Sequence, residues 1–440
     1  MNTNTGSAKT LELLEKFEIY CPGGSVNINQ GKADSLIIVD RAQGARIWGL
    51  DGNEYLDYAS AYGPNILGHR HPEYIQALYE LIDRSALCSS AFFAITERYI
   101  GAVEKIIQHI PCAERVKFTT SGSEAVQAAM RIARSYTRRP YVLTFQDHYH
   151  GWIDNVDGLN IAPRTKDKRP VAQSSENASL GRGECAKEET LMIEWNNLEV
   201  LENTLAKYGD EIAMILTEPF ASNAGARFPR PGYLKQVRKR CDQYGIVLCF
   251  DEVLTGFRVG LNGAQGLFGV TPDLSTLGKA LGGGVPIAAV VGQAKFMDVL
   301  ADGKTRCYGT YWGNSLSVQG ADAALGILGR DNGAVYAEME RVQKALMSGL
   351  DEIARRRGIP MRVQGLTGLF STLFGVDPDR VQYSNEDAKG MDYKMASKFS
   401  ELIKLEGISS ATARWLPSIV HTDKDTAVAL EAADRAMAKL

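Results

Sequence analysis

Four short stretches carry side chains that could do chemistry. In IVLCFDEVLTG (246–256) a run of five apolar residues ends on two carboxylates, Asp251 and Glu252. An ionised carboxylate is costly to bury alone, so the pair either sits at a solvated strand end or meets a cationic partner. In TTSGSEAVQAAM (119–130), Ser121, Gly122 and Ser123 join a strand end to a helix start. Ser121 and Glu124 have capping-box spacing. The same turn could also bind a phosphate, because free N–H groups and the helix dipole converge there and Gly122 lets an anion approach. DLSTLGKALGGG (273–284) places Lys279 directly after an apolar run. In a crevice that amine would be desolvated and its pKa would fall, as a Schiff-base lysine requires; a lysine snorkelling from a strand end is the plainer alternative. DHYHGW (147–152) offers Tyr149 as a flat face with His150 as its polar neighbour, or else simple packing.

The elements that must position these groups alternate along the chain. VKFTT (116–120), YVLTF (141–145), AMILTEP (213–219), IVLCF (246–250) and DLSTLGK (273–279) read as strands. EAVQAAMRIARSY (124–136) and GYLKQVRKRCDQYG (232–245) read as helices. Continuous apolar runs separated by helices predict an α/β fold, a large domain whose mainly parallel central sheet is flanked by helices. Further on, long helical stretches such as 334–358 surround short strand candidates such as GLFSTLFGV (368–376), which predicts a smaller α+β domain. The expected division is an N-terminal segment over 1–62 packing with the small domain, a large domain over 63–324 and the small domain over 325–440. Residues 161–189 are polar and aperiodic and read as a long surface loop. Open α/β sheets bind ligands outside the carboxyl ends of their strands, where Asp251, Glu218 and the 121–123 turn all fall. A phosphate cradle, an aromatic face, an acid and an activated lysine are together what pyridoxal phosphate needs. The lysine forms the imine, and Asp251 keeps the pyridine nitrogen protonated.

Bulk composition removes other classes. The 440 residues, 45% of them hydrophobic, suffice for more than one compact unit. A formal net charge of −3 gives no basic field for nucleic acid or an anionic membrane surface. No run reaches the ~18 apolar residues of a membrane span. The N-terminal MNTNTGSAKTLELLEKF lacks the apolar core of a signal peptide, so a soluble, cytoplasmic protein is expected. Cys21, Cys88, Cys112, Cys185, Cys241, Cys249 and Cys307 form no C-x-x-C pair; free thiols in a reducing compartment are expected, and no metal site. With no Walker loop and no G-x-G-x-x-G after a strand, nucleoside triphosphate and nicotinamide binding have no support.

The block DEVLTGFRVGLNGAQGLFGVTPDLSTLGKALGGGVP (251–286), with GARIWGLDGNEYLDY (44–58), GPNILGHRHPEY (63–74) and GTYWGNSLS (309–317), resembles the class III (ω-type) aminotransferases of PLP fold type I. Within them it is most similar to the branch of glutamate-1-semialdehyde 2,1-aminomutase, and the resemblance runs from about PGGSV (22–26) to the C-terminus. It implies that Lys279 holds the cofactor as a Schiff base and then shuttles the proton, and that Asp251 pairs with the pyridinium nitrogen. Val253 and Tyr149 would pack the two ring faces, with His150 beside them, and Ser121, Gly122 and Ser123 would bind the phosphate. Glu218 would lie near the ring hydroxyl. Thr310 would reach the phosphate of a neighbouring subunit's cofactor, which implies a homodimer with shared active sites acting on small molecules.

Departures from the pattern concern the substrate. The aminomutase has an arginine after its PGG-V-N segment, and SVNINQGK (25–32) has none; it has a glutamate near its C-terminal strand, where TARWLPSIVHT (412–422) offers about Ala413. That region instead resembles the R-x-x-P pattern of the ornithine and acetylornithine branch, whose arginine grips the donor's α-carboxylate. Arg414 fits it, with an ordinary surface arginine as the alternative. The gating glutamate of that branch is replaced by Asn223 in EPFASNAG (218–225). Tyr62 and Trp312 are either pocket walls or core. The resemblance thus implies a PLP-dependent aminotransferase that moves an amino group from an amino-acid donor to a carbonyl acceptor, in the manner of specialised metabolism. An aminomutase, an epimerase or a carbon–carbon bond-forming enzyme of the same fold is the alternative.

Overall fold

The computed structural model describes residues 7–22, 36–84, 94–157, 163–166, 169–172, 180–384 and 386–440. The stretch SVNINQGK (25–32) and Cys88 lie outside the described residues, as does part of 161–189. A nine-stranded sheet runs in the order Arg115–Thr119, Ala288–Gly292, Leu274–Leu277, Val247–Glu252, Ile212–Thr217, Tyr141–Phe145, Thr190–Ile193, Arg169–Ala172, Pro163–Lys166. From Leu274–Leu277 through Thr190–Ile193 every pairing is parallel; Ala288–Gly292 is antiparallel to both of its neighbours. The central strands Ile212–Thr217 and Val247–Glu252 are buried at every residue, which is why they read as unbroken apolar runs. The helix Gly122–Thr137 lies across them and buries Ala125, Val126, Ala129, Met130 and Ala133.

The reading of 161–189 as a long surface loop is corrected. Pro163–Lys166 and Arg169–Ala172 form an antiparallel hairpin that joins the sheet edge through Val171 opposite Leu191, and Glu184–Glu188 is a helix. A polar hairpin covering an otherwise bare edge strand satisfies that edge without an apolar face of its own, so it leaves no alternating pattern to read.

Two small sheets complete the fold. One joins Val39–Gln43, Arg46–Gly49 and Glu54–Asp57 to the C-terminal strand Ile408–Ser409; the other is Met361–Leu366, Leu369–Phe374 and Arg414–Trp415. The helix Ser315–Gly329 runs through residue 324, where the sequence reading divides the large part from the small. Trp415 is fully buried, stacked on Phe370 at 5.7 Å and edge-on to Tyr58 at 5.3 Å. Strand alternation therefore sends Arg414 to the opposite face.

The same alternation separates Asp251 from Glu252. Asp251 faces the carboxyl-end crevice, whereas Glu252 points into the body and, among the described residues, makes no ion pair. Its Oε1 accepts from the Gln265 amide (3.1 Å) and the Gln265 side chain (2.9 Å), and its Oε2 accepts from Thr255 Oγ1 (3.0 Å) and the Ala264 amide (2.5 Å). Glu252 thus caps the helix Gly263–Phe268 from below. Glu252→Gln keeps the shape but turns an NH2 group against a buried amide N–H. A loss of about 1–3 kcal/mol is expected, read as a lower urea midpoint at an unchanged slope.

Candidate active site

Lys279 follows the strand Leu274–Leu277 in a left-handed conformation (φ +46°), a strained setting for a non-glycine residue. Its amine enters a cavity of about 380 Å³ at the carboxyl ends of the central strands. Burial first, then the nearby Arg414 charge, push the amine down to about 8; Glu218 and Asp251 oppose the shift and Arg258 adds to it. The other walls include Ser121, Gly122, Ser123, Tyr149, His150, Glu218, Asn223, Asp251 and Val253, so the crevice gathers most of the residues singled out from sequence.

Asp251 is buried, and the partner it needed is His150, whose Nδ1 lies 2.7 Å from Oδ2. The other oxygen accepts from Thr276 Oγ1 (2.9 Å) and the Val253 amide (3.1 Å). Thr276 stands opposite Asp251 on the neighbouring strand, so sheet register supplies this donor. His150 is itself buried, and among the described residues its Nε2 has no hydrogen-bond partner.

At the helix start the capping reading of the 121–123 turn holds in the geometry. Ser121 accepts from the Glu124 amide (3.3 Å), and Glu124 Oε2 accepts from the amides of Thr120 and Ser121, each at 2.9 Å. Among the described residues, the amides of Gly122 and Ser123 donate to no protein acceptor and are left for an anion. Gly151, at φ +94°, leaves room for the Ser123 side chain; a Cβ there would fall 2.3 Å from Ser123 Oγ.

Glu218 is buried and fully used. Its oxygens accept from the Tyr149 amide (2.8 Å), the Ser222 amide (3.1 Å) and hydroxyl (2.5 Å), and Asn223 Nδ2 (3.3 Å). Arg414 and Tyr62 do not line this cavity; the Arg414 guanidinium carbon lies 5.9 Å from the Tyr62 ring centroid. Among the described residues it makes no ion pair, and burial lowers its pKa while Glu218 and Tyr62 oppose.

Trp312 does not wall this cavity. It lines a neighbouring hollow of about 400 Å³ with Arg131, Trp152 and Tyr308, reached past Ser121 and Ser123. The chain turns there at Gly313 (φ +65°), and Trp312 is half-buried. Thr310 is exposed on the same side and lies outside both cavities. Sequence reasoning missed Pro64 and the wall 284–287, whose only signal was the run GGGVP, and it missed Arg258 altogether.

Comparison with known proteins follows from this geometry. A family model described as aminotransferase class-III matches residues 27–437. A glutamate-1-semialdehyde 2,1-aminomutase of Nitratidesulfovibrio vulgaris is 34% identical over 434 residues, covering 97% of this chain and 99% of that protein. The crystal structure of an omega-transaminase from Sphaerobacter thermophilus superposes with a TM-score of 0.89 at 27% identity, covering 99% of this chain and 98% of that one. A β-phenylalanine aminotransferase from Variovorax paradoxus gives 0.82 at 25% identity, with 97% and 93% covered.

The electrostatics of Lys279 can be read in the full-length chain without added ligand. Trinitrophenylation of Lys279, followed by peptide mass, should rise about tenfold per pH unit and level off near 8. Arg414→Ala removes a cation that opposes protonation and should move the midpoint up; Asp251→Asn removes an anion that favours it and should move the midpoint down.

Proposed function

The chain belongs to the class-III aminotransferase family, and on that premise we propose that it transfers an amino group from an amino-acid donor, held through its carboxylate by Arg414, to a carbonyl acceptor. Its cofactor is pyridoxal phosphate, and the residues present fit that group. The unpaired amides of Gly122 and Ser123 suit a phosphate, the buried Asp251–His150 pair suits a protonated ring nitrogen, and the Lys279 amine suits an aldehyde. When bound, the cofactor supplies that aldehyde and a ring that draws electrons from the carbon bearing the amino group.

The chain's own residues do the rest. With a pKa of about 8, roughly a tenth of Lys279 is free base at pH 7, against well under 0.1% for an ordinary lysine. Its Nζ can therefore take up and return a proton near neutrality. Asp251 holds positive charge at the ring nitrogen, and His150 fixes the carboxylate's orientation through Nδ1. Val253 and Tyr149 line the cavity and would offer branched and flat surfaces to the ring, and Glu218, kept in place by four donor groups, would lie near its hydroxyl. Thr310 and the exposed Tyr311, Tyr308 and Trp152 (73%, 62% and 76% accessible) belong to the surface that a second copy of the chain would cover in a homodimer.

The observation that carries the reading is Arg414: a guanidinium without an ion pair among the described residues, close enough to Lys279 to depress its pKa. An intramolecular amino shift is the second reading, favoured by the 34% identity to a named aminomutase. Ala413, whose carbonyl is taken by the Thr372 amide at 2.9 Å, argues against it, because no acid stands there.

Loading the protein with pyridoxal phosphate and adding single amino acids separates the two. Stoichiometric conversion to pyridoxamine phosphate without an acceptor marks transamination; multiple turnovers of one substrate with no pyridoxamine form left behind mark the amino shift. Arg414→Ala should raise the donor KM about 100-fold, ~3 kcal/mol, with a much smaller change in kcat. An unchanged KM would remove Arg414 from the donor site.

A further inference from the structure

The buried arginine of the DEVLTGFR block has no part in the reading above. Arg258 has no solvent exposure and, among the described residues, no carboxylate within ion-pair distance. Its guanidinium is spent on carbonyls alone. Nε (3.0 Å) and Nη2 (2.8 Å) donate to Gly63 O, and Nη1 donates to Gly368 O (2.8 Å) and Pro417 O (3.0 Å). Burying a cation on neutral dipoles is expensive enough to pull its pKa down to about 10. A side chain kept under those terms calls for a reason, and the carbonyls it binds supply one.

Each belongs to a segment that touches the cavity or its arginine. Gly63 closes a turn in which Ser60, Ala61 and Tyr62 all have positive φ (+44°, +51° and +62°), a run that L-residues adopt only when the surroundings hold it. A Cβ on Gly63 would lie 2.6 Å from Leu254 Cδ1 and 3.1 Å from Lys279 Cδ, so the turn rests on the lysine stem. Pro417 follows Arg414 within the same short segment, and Gly368 is the turn between the strands beside it. Arg258 is therefore bonded to the Tyr62 side and to the Arg414 side of the 5.9 Å cation–ring contact.

We propose that Arg258 is a positioning residue of the donor site, holding the Tyr62 turn and the Arg414 segment in one register against Lys279. The inference rests on Arg414 as the carboxylate grip. A lysine at this position keeps the charge but lacks the planar fork that reaches all of these carbonyls, so charge and positioning can be separated.

The test is Arg258→Lys in the full-length protein, with two readouts. The donor KM should rise about 10-fold or more while kcat stays within about threefold, since small misplacements of binding groups have effects of this size. The Lys279 trinitrophenylation midpoint, measured without cofactor, should move up from about 8 as the released turn admits water around the amine. A variant with wild-type KM and a wild-type Lys279 midpoint overturns the proposal, whatever its melting temperature, and leaves Arg258 as a fold brace. If Arg258→Lys does not fold, Gly368→Ala crowds the Arg258 backbone and stem from the far side and is read in the same way. Arg414→Ala keeps the two ideas apart: an unchanged donor KM there refutes the carboxylate reading, whereas an unchanged donor KM together with an unchanged Lys279 midpoint in Arg258→Lys refutes this one.

Discussion

Asp251 is taken out of water at the tip of a central strand, and a desolvated carboxylate must find donors or take up a proton. It finds a histidine, a hydroxyl and an amide: His150 from the strand-end loop, Thr276 from the paired strand and Val253 from its own chain. All come from backbone already ordered by the sheet, so little extra entropy is spent on holding them. The arrangement depends on register. A shift of one residue would turn Asp251 into the body, where Glu252 now caps a helix, and leave the crevice without its acid. The dipeptide thus serves two faces of one strand, and the site cannot be moved without undoing the packing beneath it.

Cations pose the complementary difficulty. Arg414 and Arg258 both act on the buried Lys279. Arg258 is matched by carbonyl dipoles and Arg414 by the face of Tyr62. Neither guanidinium gives up its proton readily, because even a strongly depressed arginine stays basic. The lysine is the group that yields. Burial and two arginines lower its pKa, while Glu218 and Asp251 limit the effect, and the balance falls at about 8. An amine that is both reactive and able to carry a proton near neutrality emerges from that competition rather than from any single contact.

These features were not equally legible in the sequence. The 121–123 turn, Asp251 and Lys279 follow apolar strand runs, and a polar residue where such a run stops is visible locally. The partner of Asp251 was open between water and a cation, and His150 was placed beside the ring rather than on the acid; nothing in DHYHGW says which way the imidazole turns. Arg258 left no signal, since its partners are carbonyls from residues 63, 368 and 417, brought together only by tertiary folding. The hairpin over 163–172 was hidden because an edge-covering ribbon needs no apolar face. Trp312, open in the sequence between pocket wall and core, lines the neighbouring hollow instead, a placement set by packing that GTYWGN does not encode.

The same contrast bears on substrate choice. The cofactor end of the cavity is built from strand-end turns of one sheet, where geometry and residue type are tightly linked. The proposed donor end draws on Asn223, which lines the cavity, and on Tyr62 and Arg414, which do not; their relation is set by packing. Asn223 donates to Glu218 at 3.3 Å and carries no charge with which to draw Arg414 aside. On the proposed reading, then, the arginine that favours an amino-acid donor stays in place for the second half of the cycle. A neutral acceptor would have to desolvate that guanidinium without pairing it, which is costly, whereas a keto acid would pair it again. On that reading Asn223, standing where a gating acid is expected, favours acceptors that carry a carboxylate of their own.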